Sequence, residues 1–415
     1  MEQVLSANRS GGYFAQIAKI MRSLNDLNTP CFILDVEELS RSIRGYQAAL
    51  NDCFADSIVS YSVKTNSLPY SMCVAKEHGC YAEVVSVDEY ELALLCGYSK
   101  DHIIYNGPMK SRDSFLDAVI NGAIVNVETH RELEWLRELP HSGPYQIGIR
   151  LNVNITKVSP EDADGDNDNS RFGFSDDTDE FATALDFIQE LSNVRLAGLH
   201  IHRTAHSRSI RFYQNSIRYA CKVINKYSLD LNYLDIGGGY FGIFPNKPTY
   251  QQYANAFKDT LTNYSLDNLR VIVEPGNAIV ASSFSFLSEV VDVKHVEKNR
   301  WFVTTDGSRN DVDPFFRKTS YLYELLTGSE GEMVEEQIVS GCTCLEYDRL
   351  FTIIRNPLLK EGDRILYKNV GAYTMCLTPL FIRYIPNVYV YKDGRYELVR
   401  GKWTANDFIS KSIIK

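Results

Sequence analysis

Apolar positions in this chain gather into short runs of strand length, and between those runs the period lengthens to that of amphipathic helices. Runs near residues 57–64, 81–86, 102–107, 123–128, 145–153, 194–202, 231–239 and 269–277 read as strands. The intervals, such as the stretch opening Asp88-Glu-Tyr-Glu-Leu-Ala-Leu-Leu and the stretch from Arg211 to Tyr227, read as helices. Strands that alternate with helices imply a parallel sheet, and eight such units predict a (β/α)8 barrel of the TIM type, an α/β fold. Beyond about residue 278 the helical period disappears. Runs at 285–293, 300–305, 336–340, 364–368 and 388–399 lack helical partners and predict a C-terminal antiparallel β domain. The boundary is a change of period rather than a linker.

Length agrees with two units, since 415 residues exceed the roughly 250 that such a barrel takes. With 44% apolar and 23% charged residues, a large core is possible. A net charge of −10 argues against nucleic acid or an anionic membrane as partner, so any anion must meet a local site. The opening MEQVLSANRSGGYF has no basic segment followed by an apolar one, and no apolar run is long enough to span a bilayer; a cytoplasmic location is expected. Nine cysteines, scattered from Cys31 to Cys376, do not make a disulfide framework in a chain this long. The pair Cys342 and Cys344 has no second pair or nearby histidine, so no metal is expected there. Residues 159–170, SPEDADGDNDNS, lack the glycine and glutamate of a calcium loop counted from Asp162, and read as a solvated loop.

In a barrel of this type the reactive groups stand at the carboxyl ends of the strands. The predicted ends carry Lys64, Glu83, Arg150, His200 with His202, Gly237-Gly238-Gly239, and Glu274-Pro275-Gly276. Consecutive glycines after Asp235 let backbone N–H groups approach a phosphate. Gly237 to Gly242 also satisfies G-x-G-x-x-G, but Ile243-Phe-Pro follows where a dinucleotide fold needs a helix, and no ribose-binding acid follows about 20 residues on. A lysine beside a phosphate site, with a carboxylate near it, suits pyridoxal 5'-phosphate: Lys64 as the amine that bonds it, Glu274 on the pyridine nitrogen, His202 against the ring. Singly, each residue has a plain structural explanation as a solvated strand end, a barrel ion pair or a satisfied core histidine. Their shared place on one rim favours the chemistry.

The motifs Ser62-Val-Lys-Thr-Asn66, Gly198-Leu-His-Ile-His202, Leu234-Asp-Ile-Gly-Gly-Gly239, Glu274-Pro-Gly-Asn277, Gly341-Cys-Thr-Cys344 with Asp348, and Gly371-Ala-Tyr373 resemble those of the fold type III pyridoxal-phosphate decarboxylases, the ornithine and diaminopimelate decarboxylase family. The resemblance runs from Thr29 to Tyr373. It implies an alanine racemase-like barrel over residues 36–278 and a β domain assembled from 1–35 and 279–415. It also implies a homodimer with its active site at the interface, and a small-molecule amino-acid substrate. Lys64, Glu83, Arg150, His202, Gly238, Gly239, Glu274, Gly276, Asn277 and Tyr373 would surround the cofactor. Cys344 would give a proton to the substrate carbon on the partner subunit's cofactor.

Departures from the family pattern bear on the substrate. Leu345 stands where an acidic residue commonly holds a distal amine, and an apolar group cannot pair with an ammonium. Asp313-Pro-Phe-Phe-Arg317 stands where diaminopimelate decarboxylases have an arginine before Pro-Ala-Leu-Tyr, and Asn277 replaces an arginine. After His202 come Arg203, His206, Arg208 and Arg211, which could bind the phosphate or an anionic substrate, or could simply open an exposed basic helix. The expected reaction is therefore removal of the α-carboxylate of a non-standard or conjugated amino acid, not diaminopimelate, with Arg203, Asp313, Arg317 and Leu345 as substrate residues. A racemase and a non-catalytic cofactor-binding homologue are the alternatives.

Overall fold

The computed structural model describes residues 24–165, 169–297, 299–328 and 331–413; the opening stretch read above and residues 166–168 of the acidic loop lie outside them. The chain divides into two compact units, one spanning Glu38–Ala281 and the other joining the chain up to Glu37 with the segment from Ser282 onward. Strand β1 (Cys31–Asp35) belongs to the second unit.

The first unit is a closed barrel of eight parallel strands: β2 (Ser57–Ser62), β3 (Tyr81–Ser86), β4 (Ile103–Met109), β5 (Ile124–Val127), β6 (Tyr145–Arg150), β7 (Val194–His200), β8 (Tyr233–Asp235) and β9 (Arg270–Val273). It closes where β2 pairs with β9, Ser57 opposite Val271. Strands covered on both faces read as nearly continuous apolar runs, as Ile103 to Tyr105 do, all fully buried. The helix Ile210–Lys226 turns Phe212, Tyr213, Ile217, Ala220, Cys221 and Ile224 inward at spacings of three and four, and the Ser209 hydroxyl accepts the Phe212 N–H at its start.

Every predicted barrel strand has its counterpart, but six end sooner than expected, among them the three that lead into the lysine, histidine and glycine motifs. β2 stops at Ser62, and Lys64 sits in the 3-10 turn Val63–Thr65. β7 stops at His200, before His202. β8 has three residues, because Gly237 and Gly239 adopt φ of +77° and +93°, which no ladder accommodates. The barrel interior is also unusual. Branched apolar side chains normally fill it, whereas here Asn126 and Tyr233 lie buried where Gly148 and Gly198 make room. A Cβ on Gly148 would lie 1.9 Å from Asn126 Oδ1, and one on Gly198 2.0 Å from the Tyr233 ring.

The second unit is a nine-stranded sheet of β1 with β10 (Phe284–Glu297), β11 (Arg300–Thr305), β12 (Leu322–Leu326), β13 (Met333–Ser340), β14 (Arg349–Pro357), β15 (Arg364–Lys368), β16 (Asn387–Lys392) and β17 (Arg395–Arg400). Most pairings are antiparallel. Two are parallel, β1 with β16 and β11 with β13, which the expectation of a purely antiparallel domain did not include. The run expected at 388–399 is two strands joined by a tight turn at Asp393 and Gly394, both at positive φ (51° and 75°). β12 and β14 carry no clean alternation and were not foreseen. A core of Leu24, Leu27, Cys31, Ile33, Leu287, Leu366 and Tyr389 lies against this sheet.

Candidate active site

The groups at the barrel mouth are close enough to work on one another. Lys64 is ion-paired with the buried Glu83 on β3, whose Oε2 also accepts the Ser62 hydroxyl at 2.7 Å. The turn that carries the lysine is pinned by the Tyr61 hydroxyl, which donates to the Asn66 carbonyl at 2.8 Å. Glu274, just past β9, is 2% exposed. Its Oε2 lies 3.0 Å from His202 Nδ1, its Oε1 lies 3.6 Å from His200 Nε2, and Asn106 Nδ2 donates to Oε1.

Burial pushes the Glu274 carboxyl up, but His200, His202 and Lys64 more than offset it, and the group is held well below the usual carboxylate range. Burial drives His200 the other way, well below the ordinary imidazole value, opposed by the charge of Glu274. Asp235, pushed up first by burial and then by the charge of Glu274, is the protonated member of the carboxyl pair. His202 Nδ1 also lies 3.1 Å from the Gly238 N–H. One nitrogen cannot both accept from Gly238 and donate to Glu274, so with Glu274 ionised the proton belongs on Nδ1.

The glycine turn is a cradle that side chains would fill. A Cβ on Gly238 would lie 2.2 Å from the Glu274 carbonyl, one on Gly239 2.7 Å from Thr204 Cγ2, and one on Gly276 2.2 Å from Thr65 Oγ1. The Gly237 and Gly238 carbonyls are tied back by the buried Tyr240 and Tyr213 hydroxyls at 3.0 and 3.1 Å. A bare backbone turn for a phosphate, a lysine amine and a buried anionic carboxylate together fit pyridoxal 5'-phosphate. Asn277 is half-buried and opens the short helix Asn277–Val280.

Arg150 is the last residue of β6, at the strand end where it was expected. It is buried, pairs with Glu128 at 2.9 Å, donates to the His202 carbonyl at 3.0 Å and lies over the Phe172 ring, so it braces the segment that carries His202. The basic segment and the acidic loop, read separately from sequence, meet each other. Asp162 accepts from Ser207 (2.6 Å), Ser209 (2.9 Å), Ser159 (2.7 Å) and Arg211 (3.3 Å), and His206 lies 3.1 Å from Asp164. This corrects the solvated-loop reading at Asp162, which is 5% exposed. It also removes Arg211 and His206 from the anion-binding set; Arg203, half-buried, comes directly after His202.

In the other unit Cys344 is exposed and Leu345 half-buried on a turn organised by Asp348. That buried carboxylate accepts the Arg309 and Thr343 N–H groups and the Ser308 and Thr343 hydroxyls, and a Cβ on Gly341 would lie 2.3 Å from it. Tyr373 is exposed and at a φ of +54°. The expectation that Asp313 meets substrate is corrected. It is buried, and its oxygens accept from the Arg309 guanidinium, the Tyr321 hydroxyl and the Arg317 and Lys318 N–H groups. Arg317 is exposed, its guanidinium over the Phe315 ring.

Residues 39–281, more than half of the chain, match the family model described as pyridoxal-dependent decarboxylase, pyridoxal binding domain. The chain belongs to the pyridoxal-dependent decarboxylase family. As a member of that family it is an amino-acid carboxy-lyase, and its cofactor is pyridoxal 5'-phosphate. A diaminopimelate decarboxylase of Aquifex aeolicus is 24% identical over 385 residues, 89% of this chain and 88% of the relative. Among solved structures, diaminopimelate decarboxylase of Helicobacter pylori complexed with L-lysine superposes with a TM-score of 0.80 at 24% identity, covering 94% of this chain and 98% of that one. The arginine decarboxylase of Paramecium bursaria Chlorella virus gives 0.75 at 19% identity, covering 91% and 99%. These superpositions establish the fold, an alanine racemase-like barrel with a β domain. Among the described residues no helix is long and apolar enough to cross a membrane.

Sequence reasoning missed three residues behind this decarboxylase's mouth. Glu128 and Asn106 carry no motif and are recognisable only once the barrel is closed. Glu89 had a local signal, standing three residues after Ser86 in a capping pattern; its own N–H reaches the Ser86 hydroxyl at 3.2 Å and its carboxylate accepts the Val85 N–H at 2.8 Å. Burial raises the Glu89 carboxyl from 4.5 to about 7, partly opposed by the Val85 bond and reinforced by Glu83. A carboxyl raised on folding contributes stability that is complete below pH 4.5 and lost as the pH rises through about 7. Urea midpoints of the parent are expected to fall between pH 5 and pH 8, and Glu89→Gln to flatten that fall by on the order of 1–2 kcal/mol. Parallel profiles for the two proteins would refute it.

Proposed function

We propose that this decarboxylase removes the α-carboxylate of a non-standard amino acid, or of one joined to a larger group, in the cytoplasm, and that diaminopimelate is not its substrate. The observation that carries the reading is Leu345, half-buried directly after the exposed Cys344, an apolar side chain at the position that would otherwise offer a carboxylate to a distal ammonium. Asp313 does not replace it, because its oxygens are engaged within its own unit. The relatives' own names include both diaminopimelate and arginine, so membership of the family leaves the distal group open.

The cofactor, when bound, supplies an electron sink for the pair left behind as carbon dioxide departs. Lys64 would hold it by its amine, and the turn Gly237 to Gly239 with Gly276 would take its phosphate on bare backbone. Glu274 would keep a proton on the ring nitrogen, with His202 against the ring and Asn277 at the phosphate edge. Arg150 would act through the His202 carbonyl it holds. The Cys344 thiol, exposed on its Asp348-braced turn, would return a proton to the α-carbon in a homodimer, each barrel served by Cys344 of the partner subunit. Tyr373 would reach the phosphate, and Arg203 and Arg317 would meet an anionic substrate tail.

The test is carbon dioxide release by the cofactor-loaded enzyme from a panel containing meso-diaminopimelate, lysine, ornithine, arginine, and acidic, phosphorylated and N-acylated amino acids. The acidic or conjugated compounds are expected to have the higher kcat/KM. Preference for diaminopimelate would sink the proposal. Release from none, with α-proton exchange in D2O, would make the enzyme a racemase.

A further inference from the structure

The polar chain in the barrel interior ends on the active site. The Tyr233 hydroxyl donates to Asn126 Oδ1 at 3.0 Å, Asn126 Nδ2 donates to Asn106 Oδ1 at 2.8 Å, and Asn106 Nδ2 donates to Glu274 Oε1, with Glu83 Oε1 at 3.5 Å. All five residues are buried. We infer that Asn106 is a positioning residue for Glu274, held in its donating orientation by the relay from Tyr233 through Asn126.

Three arguments carry this. First, the relay can run in only one sense. Were Asn126 and Asn106 flipped, an amide oxygen would face the Glu274 carboxylate and lone pairs would meet, so the charge on Glu274 orients Asn106 and, through it, Asn126, whose oxygen is left to accept from the phenol. Burial holds the Tyr233 phenol well above its ordinary value, so it remains a donor. Second, the chain is costly to build into a barrel interior, where unpaired polar atoms are penalised by kilocalories. It exists only because β6 and β7 carry glycine at 148 and 198, where a Cβ would strike Asn126 or Tyr233. A chain needed for packing alone would be simpler as apolar side chains. Third, Asn106 sits between two acids. The groups facing Glu274 are Asp235 from β8, Glu83 from β3, His200 and His202 at the end of β7, and Lys64 after β2. A neutral NH2 that reaches both Glu274 and Glu83 donates toward two acids at once, and a hydrogen bond to the charged form of Glu274 favours it. With His202 on Oε2 and Asn106 on Oε1, the plane of the Glu274 carboxylate is fixed.

This inference rests on the proposed role of Glu274 at the ring nitrogen, and the experiment separates the two. Pyridoxal 5'-phosphate is titrated into cofactor-free full-length protein by fluorescence quenching at neutral pH, for the parent, Glu274→Gln, Asn106→Leu, Tyr233→Phe and the double variant Glu274→Gln/Asn106→Leu, with circular dichroism as the check on folding. Glu274→Gln is expected to weaken binding at least about tenfold. Asn106→Leu is expected to weaken it about three- to tenfold, Tyr233→Phe to weaken it by less, and the Asn106→Leu loss to vanish in the Glu274→Gln background, which a merely structural role would not produce. If Glu274→Gln weakens binding while Asn106→Leu binds as the parent does, or costs the same in both backgrounds, the relay is overturned and the Glu274 role stands. If Glu274→Gln itself binds as the parent does, the Glu274 role is overturned. Should Asn106→Leu fail to fold, Tyr233→Phe decides, and parental binding there overturns the relay.

Discussion

Lys64→Ala is expected to lower kcat for carbon dioxide release by at least about 10³-fold and to abolish the visible absorbance that the parent develops on loading with cofactor. The amine is the group that would bond the cofactor's aldehyde; Lys110, which directly follows β4, is instead buried with its amine on Glu132 and the Gly107 and Asn126 carbonyls. The substitution also leaves the buried Glu83 without its cation, a change that costs roughly 3–5 kcal/mol when a buried pair is broken from one side. Lys64→Arg separates the two effects. Its guanidinium keeps a positive charge for Glu83, so thermal stability should stay near the parent's, while the visible band is still lost because the guanidinium is too weak a nucleophile. A Lys64→Ala protein that keeps both the band and turnover would remove Lys64 from the chemistry.

Cys344→Ala is the second substitution with a large expected effect, about 10²–10³-fold in kcat, because the carbanion would wait for water instead of a positioned thiol. Its location makes a sharper experiment possible. Cys344 and Lys64 belong to different units of the chain, and the proposal has the thiol serve the other subunit. Mixing inactive Lys64→Ala with inactive Cys344→Ala under subunit exchange should then restore activity, up to about one quarter of the parent's sites in a random two-fold assembly. Mixed protein that stays inactive while size-exclusion and mass measurements show hybrid dimers would place the thiol's target within its own subunit, or remove it from the reaction.

The barrel was legible because parallel strands covered on both faces leave nearly unbroken apolar runs, and because the residue types at their ends were chemically unlike the runs themselves. Lys64, Glu83, His202, the three glycines and Glu274 stood out for that reason. The sheet of the other unit was less legible. β12 and β14 have mixed exposure along their length, and β1 is far along the chain from both strands beside it, β10 and β16, so no local period could reveal its parallel pairing with β16. The relay from Tyr233 to Glu274 was invisible for a related physical reason. Asparagine on a strand reads as a flaw in an apolar run until closure of the barrel brings four strands' residues together. Asp313 failed in the opposite direction: its place in a variant motif suggested a ligand, whereas its neighbours Arg309, Arg317, Lys318 and Tyr321 donate to its oxygens.

The clasp at Asp162 bears on how this enzyme can be re-engineered. Loops at the mouth of a barrel invite exchange between relatives as a way to alter specificity, each treated as an independent cassette. Here the segment after β6 supplies a buried carboxylate, and the segment after β7 supplies two hydroxyls and a guanidinium that satisfy it. Transplanting either one alone would take from Asp162 the two hydroxyls and the guanidinium that reach it from the other segment, or leave Arg211 without that acid, so residues 159–164 and 203–211 form a single cassette and should travel together.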